Sequence, residues 1–169
     1  MNNSIIELDD EIFLNDAYLM ADWLENEEIT RYITEGQDIS QELRSFLRYT
    51  TCPILTHMFC NGGNFYMIKL NGRSIGYLKL VDQGHGQAEI VIVIGDTTMW
   101  NHGFGTKAVK RAMEECFFNL RYERLIANIL PGNQGSHHVF QKIGFKKMKS
   151  TTTTARYLMD LNQYLKLAA

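Results

Sequence analysis

The stretch Gln87-Ala88-Glu89-Ile90-Val91-Ile92-Val93-Ile94, with the turn Trp100-Asn101-His102-Gly103-Phe104-Gly105-Thr106 a few residues later, decides how this chain folds. The first part alternates as a strand, Ile90, Ile92 and Ile94 on one face and Glu89, Val91 and Val93 on the other. Apolar side chains on both faces predict a central strand covered on both sides. From Phe104 onward the apolar positions are Ala108, Val109, Ala112, Met113, Cys116, Phe117 and Leu120, which is the spacing of a helix face. The unit is therefore strand, glycine turn, helix.

Working outward, Asn64 to Leu70 and Ser74 to Val81 read as strands joined by Asn71-Gly72, a strong hairpin signal. Gly84-His85-Gly86 makes the next turn. Downstream, Leu125 to Leu130 is a strand broken by Pro131-Gly132. Asn133 caps a helix through about Lys142, and Gly144 ends it. Phe145 to Lys149 and Thr152 to Leu161 read as two last strands, and the β-branched run Thr151 to Thr154 suits a strand. Upstream, Asp9 or Asn15 caps a helix reaching about Glu25, with Phe13, Ala17, Leu19, Met20, Trp23 and Leu24 as its apolar face. Ser40 precedes a second short helix carrying Leu43, Phe46 and Leu47. The order is about βααβββαβαββ, an α/β fold with a mixed, mostly antiparallel sheet flanked by helices.

The 169 residues suit one domain spanning 1–169. An apolar share of 45% and 17 basic against 19 acidic residues are those of an ordinary globular protein of net charge −2. That balance argues against a nucleic-acid coat, which needs a basic surface. Cys52, Cys60 and Cys116 lack CxxC spacing, so neither a disulfide framework nor a zinc site is expected, and a reducing compartment is. The N-terminus lacks the basic start and apolar run of a signal peptide, and no stretch is long and apolar enough for a membrane span. The expectation is a soluble cytoplasmic protein with no nucleic-acid or membrane partner.

The turn from Trp100 to Thr106 carries the chemistry. First-turn helix amides lack internal partners, and the helix dipole adds about half a positive charge there. Glycines let the backbone approach an anion closely. A pyrophosphate cradle and a plain strand-to-helix turn both fit this spacing. Gly103 to Ala108 also fits the relaxed dinucleotide pattern GxGxxA, with Glu123 twenty residues beyond Gly103. That pattern needs its acid at the end of the next strand, whereas Glu123 precedes Leu125 to Leu130.

Taken together, the strand from Ala88 to Ile94, the turn Trp100 to Thr106 and the run Asn133-Gln134-Gly135-Ser136-His137-His138-Val139-Phe140-Gln141-Lys142-Ile143-Gly144-Phe145 resemble the GNAT family of N-acetyltransferases. Its pattern is a glutamate-bearing strand, a [QR]xxGx[GA] turn and a helix. Trp100 stands where that pattern has Gln or Arg. WxxGxG and NxxSxxVxxKxGF are similar to the branch of ribosomal-protein alanine acetyltransferases, as is Leu24 to Tyr32. The resemblance covers about residues 5 to 165.

It implies a GNAT fold and acetyl-CoA as co-substrate, without a metal. The pantetheine arm is expected on the backbone of Val93, Ile94 and Gly95. The pyrophosphate is expected on the amides of Asn101, His102, Gly103, Phe104, Gly105 and Thr106. His102 and Lys107 either add positive charge or are merely solvated, and Trp100 reads as a packing residue. Asn133 combines a cap with a pantetheine contact. Glu89 holds the family position of the general base, and the bland alternative is a strand-edge carboxylate. Many members supply a tyrosine to the departing thiolate; here that position is Phe140. Ser136 is the branch's replacement, against the alternative of a first-turn helix residue. Cys116 lies on a core face and reads as structural. His137 and His138, about 100° apart on a helix, make no metal pair. Tyr32 is expected to line the acceptor pocket, and Glu27, Glu28 and Glu35 to attract a cationic amine or simply to be solvated. The acceptor is a protein N-terminus, a polyamine, an aminoglycoside or another small amine, and a homodimer is left open. The alternative is a non-catalytic acyl-CoA-binding or regulatory module of the same fold, which Phe140 keeps in play.

Overall fold

Asn71 and Gly72 both take positive φ, 50° and 82°. They close the expected hairpin between β2 (Gly63–Leu70) and β3 (Arg73–Asp82). Positive φ at both turn residues matches the right-handed twist of the strands. A second turn leads from β3 to β4 (Gln87–Ile94). With β1 (Ile6–Asp9), β5 (Arg124–Ile129), β6 (Lys146–Lys147) and β7 (Ala155–Asp160), these strands form one seven-stranded sheet in the order β1-β2-β3-β4-β5-β7-β6. Every pairing is antiparallel except β4 with β5. The computed structural model describes residues 4–33, 39–149, 151 and 153–169, so Glu35 and Thr152 lie outside the described residues.

Helices cover both faces, as the apolar alternation of β4 requires. On one face α5 (Phe104–Glu114) and α6 (Gln134–Ile143) bury Ala108, Val109, Ala112, Met113 and Phe140 against Ala88 and Ile90. On the other, α1 (Leu14–Trp23), α2 (Glu27–Thr30) and α3 (Ile39–Arg48) bury Ala17, Met20, Trp23, Ile29 and Leu47 against Phe65, Met67 and Val93. Each such large side chain contributes about 1.5–3 kcal/mol by leaving water. A single turn, α4 (Thr56–Phe59), precedes β2. The β4–β5 pairing is short, limited to Gln87 with Arg124, Ala88 with Leu125 and Glu89 with Ile126. Beyond Glu89 the two central strands part.

Four local expectations are corrected. The first helix starts at Leu14, not after Asp9 or Asn15; Asp16 accepts from the Phe13 amide at 3.0 Å and serves the cap. Asp9 lies instead in β1, paired with Lys69. Ser40 sits inside α3, buried, with its hydroxyl on the Ala21 carbonyl at 2.9 Å. Thr151, Thr153 and Thr154 are not in a strand, and the Thr151 amide donates to the Thr154 carbonyl at 3.0 Å. Finally, the last strand stops at Asp160, whose carboxylate accepts from the Gln163 amide at 2.7 Å and starts α7 (Leu161–Ala168).

Candidate active site

The site follows from the parting of β4 and β5. The Gly95 amide donates to the Ile75 carbonyl of β3 at 2.9 Å. Hydrogen bonding alternates along an antiparallel strand, so Val91 and Val93 also turn their backbone groups toward β3. Ile92 and Ile94 therefore turn theirs the other way, where β5 has departed. The Ile94 carbonyl is taken by the Trp100 indole N–H at 2.8 Å. The Ile94 amide and both backbone groups of Ile92 are left as an open edge among the described residues.

This edge floors a cleft of about 780 Å³. Its head is the start of α5, where Gly103 adopts the left-handed conformation (φ 79°) and no side chain caps the helix. Asn101 is also left-handed, at φ 62°, a conformation Asn tolerates better than most residues. The amides of Phe104, Gly105 and Thr106 are consequently free of acceptors among the described residues. Gly103 and Gly105 line the cleft, and an added β-carbon on Gly103 would point into open space. Backbone N–H groups at a glycine-rich helix start fit an anion.

One wall is α6. Asn133 caps it, its Oδ1 accepting from the Ser136 amide at 3.2 Å, and both residues line the cleft. The Ser136 hydroxyl has no acceptor among the described residues. The helix is fixed from behind by a part-buried network centred on the Tyr157 hydroxyl. His137 Nε2 donates to the Leu130 carbonyl at 3.1 Å, which leaves Nδ1 to accept from the Tyr157 hydroxyl at 2.8 Å. Gln141 donates to the same hydroxyl at 3.2 Å. Both His137 nitrogens are thus occupied, and His138 points separately to the cleft. Among the described residues no group of three or more metal-ligating side chains occurs.

The opposite wall is α2 with the residues after it, Glu28, Ile29, Tyr32 and Ile33. Tyr32 Cε1 lies 3.7 Å from where a β-carbon on Gly132 would stand, so the two walls meet at that end.

Ten of the thirteen expected residues converge on this cleft: Val93, Ile94, Asn101, Gly103, Phe104, Gly105, Thr106, Asn133, Ser136 and Tyr32. Glu89, Gly95 and His102 do not line it. The Gly95 amide is spent on Ile75, and the Val93 backbone groups likewise turn toward β3, so neither offers them to the cleft; Gly95 also carries the Trp23 indole packed directly on it. His102 is exposed, its Nδ1 at 2.7 Å from the Trp100 carbonyl. Glu89 stands on the face of Val91 and Val93, about 10 Å along the strand from Ile92. Gln83 donates to its carboxylate at 3.3 Å. Glu123, the acid of the dinucleotide pattern, lies against Gly86 at the far end of β4. Burial, assisted by Glu115, pushes the Cys116 thiol up to about 12, which suits a core residue. Sequence reasoning missed Ile92, Trp100, His138 and Lys142 as cleft residues. The phase of the β3–β4 hydrogen bonds was the missing signal for Ile92.

A parallel pair that splays over a helix start makes a cleft shaped for an extended, anionic ligand. A family model described as an acetyltransferase (GNAT) domain matches residues 11–146, and the chain belongs to that family. It is thereby an N-acetyltransferase. An uncharacterized N-acetyltransferase p20 of Bacillus licheniformis is 27% identical over 140 residues, 79% of this chain and 75% of the relative. The fold is shared with the aminoglycoside acetyltransferase AAC(6')-Ib solved in complex with coenzyme A, at TM-score 0.80 and 16% identity, covering 98% of this chain and 100% of that one. It is also shared with a spermidine N-acetyltransferase from Vibrio cholerae solved with CoA and spermine, at TM-score 0.76 and 18% identity, covering 95% and 98%.

Proposed function

We propose that this chain moves an acetyl group from acetyl-CoA to a primary amine by direct attack within a ternary complex. The observation that carries this is the open edge of β4 running into the uncapped start of α5. An extended amide-bearing arm finds donors and an acceptor on Ile92 and Ile94, in the manner of an added strand. A pyrophosphate finds the amides from Asn101 to Thr106. Bound there, acetyl-CoA supplies an acetyl thioester activated toward an amine.

The chain's own residues do the rest. A lysine-like amine has a reference pKa of about 10.4 and an α-amine about 7.7–8.0, so attack needs a proton removed. Glu89, which stands outside the cleft on the sheet face that also carries α2, takes it through bridging water. Ser136, with its hydroxyl free, donates a hydrogen bond to the departing thiolate. Phe140 cannot, because its ring carries no hydroxyl; it is a core residue packed edge-on to Phe145. Tyr157 cannot either, being fully buried with its hydroxyl in the His137 network. Tyr32 orients the acceptor, and Glu28 favours a cationic one. A cytoplasmic setting belongs to the same proposal, since the three cysteines are free.

Thiol release from acetyl-CoA across a panel of peptide, polyamine and amino-sugar acceptors tests it. Turnover with at least one amine is expected, with kcat falling about 100-fold in Glu89→Gln. Thiol release with none of them would refute the proposed reaction, and undiminished turnover in the variant would remove Glu89 as base.

A further inference from the structure

We propose that Trp100 is a positioning residue of the acetyl-CoA cleft: its indole N–H, bonded to the Ile94 carbonyl, sets the open edge of β4 in register with the amides that begin α5. The proposal rests on the acetyl-CoA function above. The Ile94 carbonyl ends the strand on the cleft side, where a bare acceptor would face the path of an anionic ligand. The bond from Trp100 Nε1, at 2.8 Å, occupies it.

The same bond closes a compact loop. Asp96 holds that loop from within, Oδ1 accepting from the Thr98 amide at 3.1 Å and hydroxyl at 2.5 Å, and Oδ2 from Arg73 at 2.6 Å. The Met99 amide returns to the Asp96 carbonyl at 2.9 Å and the Trp100 amide to the Thr97 carbonyl at 3.2 Å. The loop is therefore a closed unit. Among the described residues the Trp100 indole is its side-chain tie to the cleft edge of β4. Directly after Trp100 come the left-handed residues Asn101 and Gly103 and the first amides of α5. A shift at Trp100 moves those amides relative to Ile92 and Ile94.

The indole is also held laterally. It packs against the core cluster that contains Trp23, and Trp23 lies on Gly95. The chain's two tryptophans thus grip the last residue of β4 and the residue after it. Trp23 ends α1, just before the wall that carries Glu28 and Tyr32, so both sides of the cleft are referenced to one strand end.

Two variants separate the N–H group from the ring. W100F keeps an aromatic ring and loses the donor. W100Q loses the ring and keeps a side-chain N–H of similar reach. Loss of one hydrogen bond to a partly buried carbonyl predicts that W100F raises the Kd for coenzyme A and the KM for acetyl-CoA about five- to tenfold. Its kcat stays within about twofold, the signature of lost binding rather than lost chemistry. W100Q stays within about threefold of the unaltered protein in KM.

Coenzyme A binding by calorimetry and steady-state kinetics read these values. Unchanged affinity in W100F, or greater damage in W100Q than in W100F, would overturn the proposal alone. No coenzyme A binding by the unaltered protein would overturn the acetyl-CoA function and this proposal together. If neither variant folds, indole-labelled unaltered protein decides: one of its two indole N–H resonances is expected to shift on adding coenzyme A, and two unmoved resonances at saturation overturn the proposal.

Discussion

Replacing Gly95 with alanine puts a methyl group where the Trp23 ring already is. A β-carbon there would lie closer than 3.0 Å to Cδ2, Cε3 and Cγ of that indole, a separation real β-carbons do not show. Carbon atoms at optimal contact stand about 3.5–4.0 Å apart, so the ring must retreat. Retreat is obstructed, because Trp23 is only 8% exposed and packs in one cluster with Ile29, Val93 and Trp100. Overpacking of this kind costs about 1–3 kcal/mol, and the depth of the overlap points to the upper value. For a domain of this size each kcal/mol lowers Tm by about 2–4 °C, so Gly95→Ala should melt about 6–12 °C lower. Urea unfolding should show a lower midpoint at unchanged slope. A variant within about 0.5 kcal/mol of the unaltered protein would refute both the packing of Trp23 on Gly95 and its structural assignment.

Gly105→Ala is the counterpart. Its β-carbon would meet only Ile94 Cγ1, at 3.9 Å, and alanine improves a helix by about 0.5–1 kcal/mol, so Tm should hold or rise. Coenzyme A affinity by calorimetry should nonetheless fall by about tenfold or more, because the methyl group stands at the amides; undiminished affinity would contradict the cradle. Tyr157→Phe should cost about 1 kcal/mol in urea unfolding, since it removes the hydroxyl shared by the part-buried His137 Nδ1 and by Gln141, whose amide stays open to water. An unchanged unfolding midpoint would contradict the network behind α6.

Much of the fold was legible because several signals were local. Asn71-Gly72 needs no tertiary context to make a hairpin, and Asn133 with Gly144 delimits α6 by itself. The apolar faces of β4 announced two helical layers, and two core clusters meet there through Ile90 and Val93. What was not legible depends on partners distant in sequence. Asp9 has the chemistry of a cap, but pairing of β1 with β2 brings it to Lys69. Threonine has strand propensity, yet Thr151 and Thr154 bond to each other between β6 and β7 and not across a sheet. At the site, residue types marked the glycine turn that starts α5, whereas the phase of hydrogen bonding along β4 depends on β3. That phase exchanges Gly95 for Ile92 and makes the Trp100 indole part of the strand's end.

The central claim is that the parting of β4 from β5 leaves a strand edge on which acetyl-CoA is held. Residue-resolved amide hydrogen exchange tests it most directly. In the free protein Ile92 and Ile94 should exchange at least about 100-fold faster than Val91 and Val93, although all four lie in one central strand. Saturating coenzyme A should slow Ile92 and Ile94, and with them Gly103 to Thr106, while leaving Val91 and Val93 as they were. Protection of Ile92 and Ile94 equal to that of their neighbours in the free protein, or no added protection at saturating coenzyme A, would contradict the account.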